Sequence, residues 1–248
     1  MQKKIAIPLV LGLTLIATNS AFAQITSYSS SVDISTADSS YATLPFTSKT
    51  KVSTNTAGTF SLLNYNGRAI GKERQGTTKA SGEEEVYTGG LTRTYEVAGQ
   101  HYEYDRNGKI KEYQQSSDTV TYRPNDWALS ASEEELNAQE IISNTFNAVA
   151  KETDIDLTGY TEVTKTDVFK LDKDLFTKVD DVTRDIEDGD YLPVIYLHES
   201  KENLYVLQKK QSGKSIATKF SFIDGVWEKD TKVKSGEPLK ALFEEESN

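Results

Sequence analysis

The sequence predicts a β-rich α+β protein: an N-terminal antiparallel β-meander followed by one long helix packed on a second antiparallel sheet. Three observations carry that prediction. Leu91, Arg93, Tyr95 and Val97 alternate with Thr92, Thr94 and Glu96, the period of two expected of a strand that shows one face to a core, and similar runs recur along the chain. Asn66-Gly67, Asn107-Gly108 and Asp224-Gly225 separate such runs, and these dipeptides tolerate the positive φ of tight hairpin turns. One stretch, from Glu133 to Lys151, changes to helical spacing.

Taken in order, the chain opens with Met1-Gln2-Lys3-Lys4 and an apolar run from Ile5 to Ile16, the layout of a signal peptide. A spanning helix needs about 20 apolar residues, and this run is shorter. Ala21-Phe22-Ala23 offers small residues at both positions a signal peptidase reads, so cleavage is expected between Ala23 and Gln24, giving a secreted, extracytoplasmic chain. No cysteine follows to carry a lipid, and no second apolar stretch of spanning length occurs, so no transmembrane segment is expected in the mature chain.

Residues 24–44 are rich in Ser and Thr and read as a flexible lead-in, with edge strands as the alternative because Val32 and Ile34 alternate with polar residues. The β-meander is expected over 45–127: Phe60 to Tyr65, a polar loop from Gly71 to Glu85, a strand around Tyr95, a turn at Ala98-Gly99, then His101 to Asp105, Lys109 to Gln114 and Thr119 to Arg123. The α+β region covers 128–243. Ser132 and Glu135 form a capping box, Ala138, Ile142, Phe146 and Val149 stack on one helical face, and Thr153-Asp154 ends the helix. Strands follow at Tyr191 to His198, Asn203 to Gln208, Ile216 to Ile223 and Val226 to Val233, and residues 244–248 read as an acidic tail.

Composition excludes some functions. Loss of Lys3 and Lys4 with the signal leaves 26 basic residues against 38 acidic ones, a net charge of −12, and no basic stripe carries interleaved aromatics, so nucleic acid is not an expected partner. The absence of cysteine means that stability must come from an ordinary core. With two histidines, His101 and His198, and no Gly-x-Ser-x-Gly elbow, nucleophilic catalysis has no sequence signature. His198-Glu199 opens like a zinc helix motif, but position 202 is Glu.

Two patterns remain as candidate sites. Tyr95, Tyr102 and Tyr104 occupy strand positions that can share a face, and an open tyrosine face would bind a sugar or a protein. Asp185, Glu187, Asp188 and Asp190 supply oxygens of the kind calcium takes, although their spacing is not that of an EF-hand. No other cofactor is expected. The leading expectation is a non-enzymatic binding protein at the cell envelope or outside the cell, with a cell-wall component, a polysaccharide or another extracellular protein as partner. An extracellular hydrolase built on paired carboxylates is the alternative.

The capped helix, Ile155-Asp156-Leu157-Thr158-Gly159-Tyr160, Asp190-Tyr191-Leu192-Pro193-Val194-Ile195 and Asn203-Leu204-Tyr205-Val206-Leu207 together resemble the PepSY-type modules of secreted bacterial proteins, over about 132–210. That resemblance implies an inhibitor or folding helper of a secreted peptidase.

Overall fold

The computed structural model describes residues 24–37, 40–75, 78–123 and 131–242. The expected export signal, the 124–130 junction and the acidic tail lie outside them, as do the side chains of the capping box expected at Ser132 and Glu135. The first half contains β1 (Ile25–Val32), β2 (Thr36–Ala37), β3 (Tyr41–Val52), β4 (Thr56–Tyr65), β5 (Arg68–Gln75), β6 (Lys79–Tyr87), β7 (Arg93–Tyr104) and β8 (Ile110–Tyr122). The second contains α1 (Ala131–Glu152), β9 (Tyr160–Val163), α2 (Lys165–Leu171), α3 (Lys173–Thr183), β10 (Val194–His198), β11 (Asn203–Lys209), β12 (Ser215–Ile223) and β13 (Val226–Lys234). The protein is β-rich, and its strands form three antiparallel sheets.

In the first sheet β1 and β2 follow one edge of β3 and β6 pairs with the other; in the second the order is β5-β4-β7-β8. These two sheets face each other as a sandwich. Leu44 and Phe46 of β3 meet Leu63 of β4, Tyr95 and Val97 of β7 and Tyr122 of β8 in its core. The opposite face of the second sheet, carrying Phe60, Leu62, Tyr102 and Tyr113, packs on Val168 of α2 and on Leu175, Phe176 and Val179 of α3. Beyond these helices lies the third sheet, β13-β12-β11-β10-β9, whose Leu204, Val206 and Phe220 belong to the same core. Alternation turns Leu207 and Ala217 to the far side, where Phe146, Val149 and Ala150 of α1 cover them. Backbone bonds from Ala69 to Asp190 (2.9 Å) and from Leu192 to Gly67 (2.7 Å) tie the two halves together.

Several expectations are corrected. The Ser/Thr-rich start forms β1, because its hydroxyls find partners inside the sandwich: Ser30 Oγ lies 2.8 Å from Ser48 Oγ and 2.6 Å from Ser116 Oγ. Of the stretch read as a loop, Gly71 to Glu85, residues 71–75 belong to β5 and 79–85 to β6, and both are edge strands, where polar and charged residues are usual. Ala98-Gly99 is no turn: β7 runs unbroken through it. Gly99 lets β1 and β3 approach, since a Cβ there would stand 2.0 Å from Ser30 Oγ and 2.7 Å from Ser48 Oγ. Finally, the one expected helix is joined by α2 and α3, each with a side-chain cap. Thr164 and Asp167 form a capping box for α2, and Asp172 accepts from the Leu175 N–H (2.8 Å) at the start of α3. Among the described residues no helix is long and apolar enough to cross a membrane.

Candidate binding cleft

The three candidate tyrosines do not share an open face. Because β7 is continuous, Tyr95 points opposite to Tyr102 and Tyr104; it is fully buried in the sandwich core, its ring 5.5 Å from that of Tyr65. Tyr102 is buried in the other core, stacked at 5.8 Å and 15° on Tyr104. Only Tyr104 is half-buried at a cleft. Nor does the acidic stretch converge. Asp190 is buried, accepts from the N–H groups of Glu187 (2.9 Å) and Gln211 (2.7 Å), and pairs with Lys210 at 3.0 Å. The Lys210 ammonium also stands 3.4 Å from the exposed Asp185, so lysine fills the place between these acids, and Glu187 and Asp188 are exposed. Among the described residues no three acid or histidine side chains gather as a metal site.

The cleft at Tyr104 has a volume of about 810 Å³ and three walls. One is the turn between β7 and β8, with Lys109 and Lys111; the second is the start of α3, with Lys173, Asp174 and Lys178; the third is the tip of the β12–β13 hairpin, with Phe222, Val226 and Trp227. The hairpin closes on Asp224-Gly225, both at positive φ (50° and 83°), the geometry this pair allows in a two-residue turn. Phe222 and Val226 are 43% and 58% exposed, an unusual display for large apolar side chains, while Trp227 is buried beneath with its ring 5.1 Å from that of Phe222. Lys178 Nζ donates to the Trp227 carbonyl (2.8 Å), which fixes the hairpin to α3.

Behind the cleft, Asp180 of α3 is fully buried and sits between two cations: the Lys165 ammonium contacts its Oδ1 and the Arg184 guanidinium its Oδ2. Tyr102 donates to Asp180 Oδ1 (2.8 Å), and Lys165 donates to Gln100 Oε1 (2.9 Å). Burial pushes the Lys165 ammonium down to about 8, although Asp180 opposes the shift. Burial also drives the Tyr102 and Tyr113 phenols well above their usual range, with Asp180 adding to it. Arg184 is raised: burial opposes its charge, but Asp180 and the nearby tyrosines outweigh that. A buried lysine beside a carboxylate is a common feature of active sites, yet here every partner is structural, and the group clamps β7 to α2 and α3.

Neither histidine is backed by a carboxylate among the described residues. His101 is buried in the sandwich, its Nδ1 2.8 Å from Thr50 Oγ1 and its Nε2 2.7 Å from Ser116 Oγ, and burial lowers it to about 4. His198 bonds Ser200 Oγ (2.9 Å) at the end of β10. A carboxyl pair does occur at the sandwich edge. Glu103, buried, accepts from Asn55 (2.6 Å) and is raised by burial and then, after the opposing Asn55 bond, by Glu112, whose carboxylate accepts from the Ile25 N–H (2.7 Å). Among the described residues its second oxygen has no donor, which a proton on Glu103 would resolve.

The cleft lysines escape sequence reading because they come from separate segments with no motif spacing; the Asp-Gly hairpin between two apolar pairs was the one visible signal. Compared with known proteins, the chain matches no family model, no curated protein and no solved structure.

Proposed function

We propose that this chain is a non-enzymatic binding protein acting at the cell envelope or outside the cell, and that it takes a polysaccharide or other cell-wall component into the cleft between the β7–β8 turn, α3 and the β12–β13 hairpin. The observation that carries this reading is the pairing of a three-walled cleft with exposed apolar side chains, Phe222 and Val226, held in place over a buried Trp227. Ligand sites combine apolar walls with a few polar groups fixed by the scaffold, and Lys178 and Tyr104 are fixed here from two different layers. The secreted location rests on the signal-like first 23 residues. Purified chain starting at Gln24 is expected to sediment with insoluble cell walls or polysaccharide in a saturable way, and Tyr104→Ala with Phe222→Ala to lose that retention. Equal retention of the double variant would contradict the assignment of the cleft.

A hydrolase remains the second reading, favoured by the Glu103–Glu112 pair with its raised member. It requires slow polysaccharide cleavage that Glu103→Gln abolishes; absence of cleavage by the unmodified chain removes it.

A further inference from the structure

We infer that the ligand of this cleft is an anionic polysaccharide, one bearing phosphate or carboxylate groups; the inference rests on the binding reading above. The chain carries a formal net charge of −10, yet Lys109, Lys111, Lys173 and Lys178 collect on two adjoining walls of one cleft. The heads of Lys173 and Lys178 are held by backbone rather than neutralised by acids. Lys173 Nζ donates to the Lys111 carbonyl (2.9 Å) and Lys178 Nζ to the Trp227 carbonyl (2.8 Å), and among the described residues neither ammonium pairs with a carboxylate. A carbonyl takes one N–H of an ammonium and leaves two, together with the full charge, for a ligand. Lys111 has a loose contact with Asp105 (3.8 Å) and a side chain more than half exposed.

The acids of the cleft do not fully cancel this. Asp172, which caps α3 through Leu175, Asp174 and Asp181, 4.0 Å from Arg184, set three carboxylates against the four lysines, while the Arg184 guanidinium is committed to the buried Asp180. Exposed Phe222 and half-buried Tyr104 add apolar ring surface beside the cations. Rings next to spaced, preorganised ammonium groups suit a polymer that alternates apolar sugar faces with separate anionic groups. Nucleic acid fits less well, because its dense charge would meet the acidic remainder of the chain.

The test compares four probes on the chain starting at Gln24: a polyuronate, a phosphorylated dextran, neutral dextran and a single-stranded oligothymidine, each with the unmodified chain, with Lys109→Gln/Lys111→Gln/Lys173→Gln, and with Tyr104→Ala/Phe222→Ala. Lys178 is kept because it anchors the hairpin. The expected result is binding of one or both anionic polysaccharides, weakened about tenfold by the lysine variant and by added salt. Dextran binding that the lysine variant leaves unchanged and the aromatic variant abolishes would overturn the anionic assignment while keeping the cleft. Tighter binding of the oligothymidine would overturn the polysaccharide class. Binding that neither variant reduces, or none to any probe, would overturn both.

Discussion

At the residue scale the buried ionisable groups set how stability depends on pH. His101 titrates at about 4 when folded against about 6.5 unfolded, so between those values the unfolded chain binds more protons and folding stability falls as pH drops. The loss is complete below about 4 and amounts to roughly 3 kcal/mol at most. Glu103 acts with the opposite sign: its raised folded value means that burial costs stability above it, and the cost is relieved as pH falls. Denaturant midpoints measured from pH 7 to 4 should therefore decline in the unmodified chain and decline less in His101→Gln; an unchanged slope in that variant would show that His101 is not the sensor. At the buried clamp, Asp180→Asn leaves Lys165 and Arg184 facing each other without their shared anion, a loss of about 3 to 5 kcal/mol. Lys165→Met keeps Asp180 paired to Arg184 and should cost clearly less, as urea unfolding of the two variants would reveal. None of this was visible in sequence, because Gln100, Tyr102, Lys165 and Asp180 have ordinary neighbours and become a group only when α2 and α3 lie on β7.

At the scale of elements, the readable parts were those where a local rule and tertiary packing agree. The Asn66-Gly67 and Asp224-Gly225 turns and the Ile142-Phe146-Val149 face of α1 are of this kind. Polar strands were unreadable: β1 and β6 expose or hydroxyl-bond much of what an apolar alternation would have marked. Gly99 is the instructive case, since glycine within a strand pattern signals close approach as readily as a turn. Gly99→Ala should destabilise the protein by about 1 to 3 kcal/mol through overpacking against Ser30 and Ser48, and Ser30→Gly should return part of that loss. Thermal unfolding of the single and double variants measures it; additive losses would mean that Ser30 is not the obstruction. The same reasoning expects amides of β1 to be protected from hydrogen exchange, whereas a flexible lead-in would exchange at once.

At the scale of the whole molecule, the sandwich and the layered α/β half share one core in which Phe60, Leu62, Tyr102 and Tyr113 meet Phe176, Val206 and Phe220. That shared core is what places the β7–β8 turn, α3 and the β12–β13 hairpin around one cleft. Sequence reading reached the β-rich class of fold and named Tyr104, which lines the cleft, but it missed the core that the two halves share and set three tyrosines on one face. The missing information was strand continuity through Ala98-Gly99 and the presence of α2 and α3 between two sheets. Residues far apart in the chain make the proposed site, so its location is the claim most open to test. The direct measurement is hydrogen exchange on the chain starting at Gln24 with and without a retained cell-wall polysaccharide. The account predicts slowed exchange confined to 104–111, 172–178 and 222–227; slowed exchange centred elsewhere, such as on β3 and β6, would contradict it.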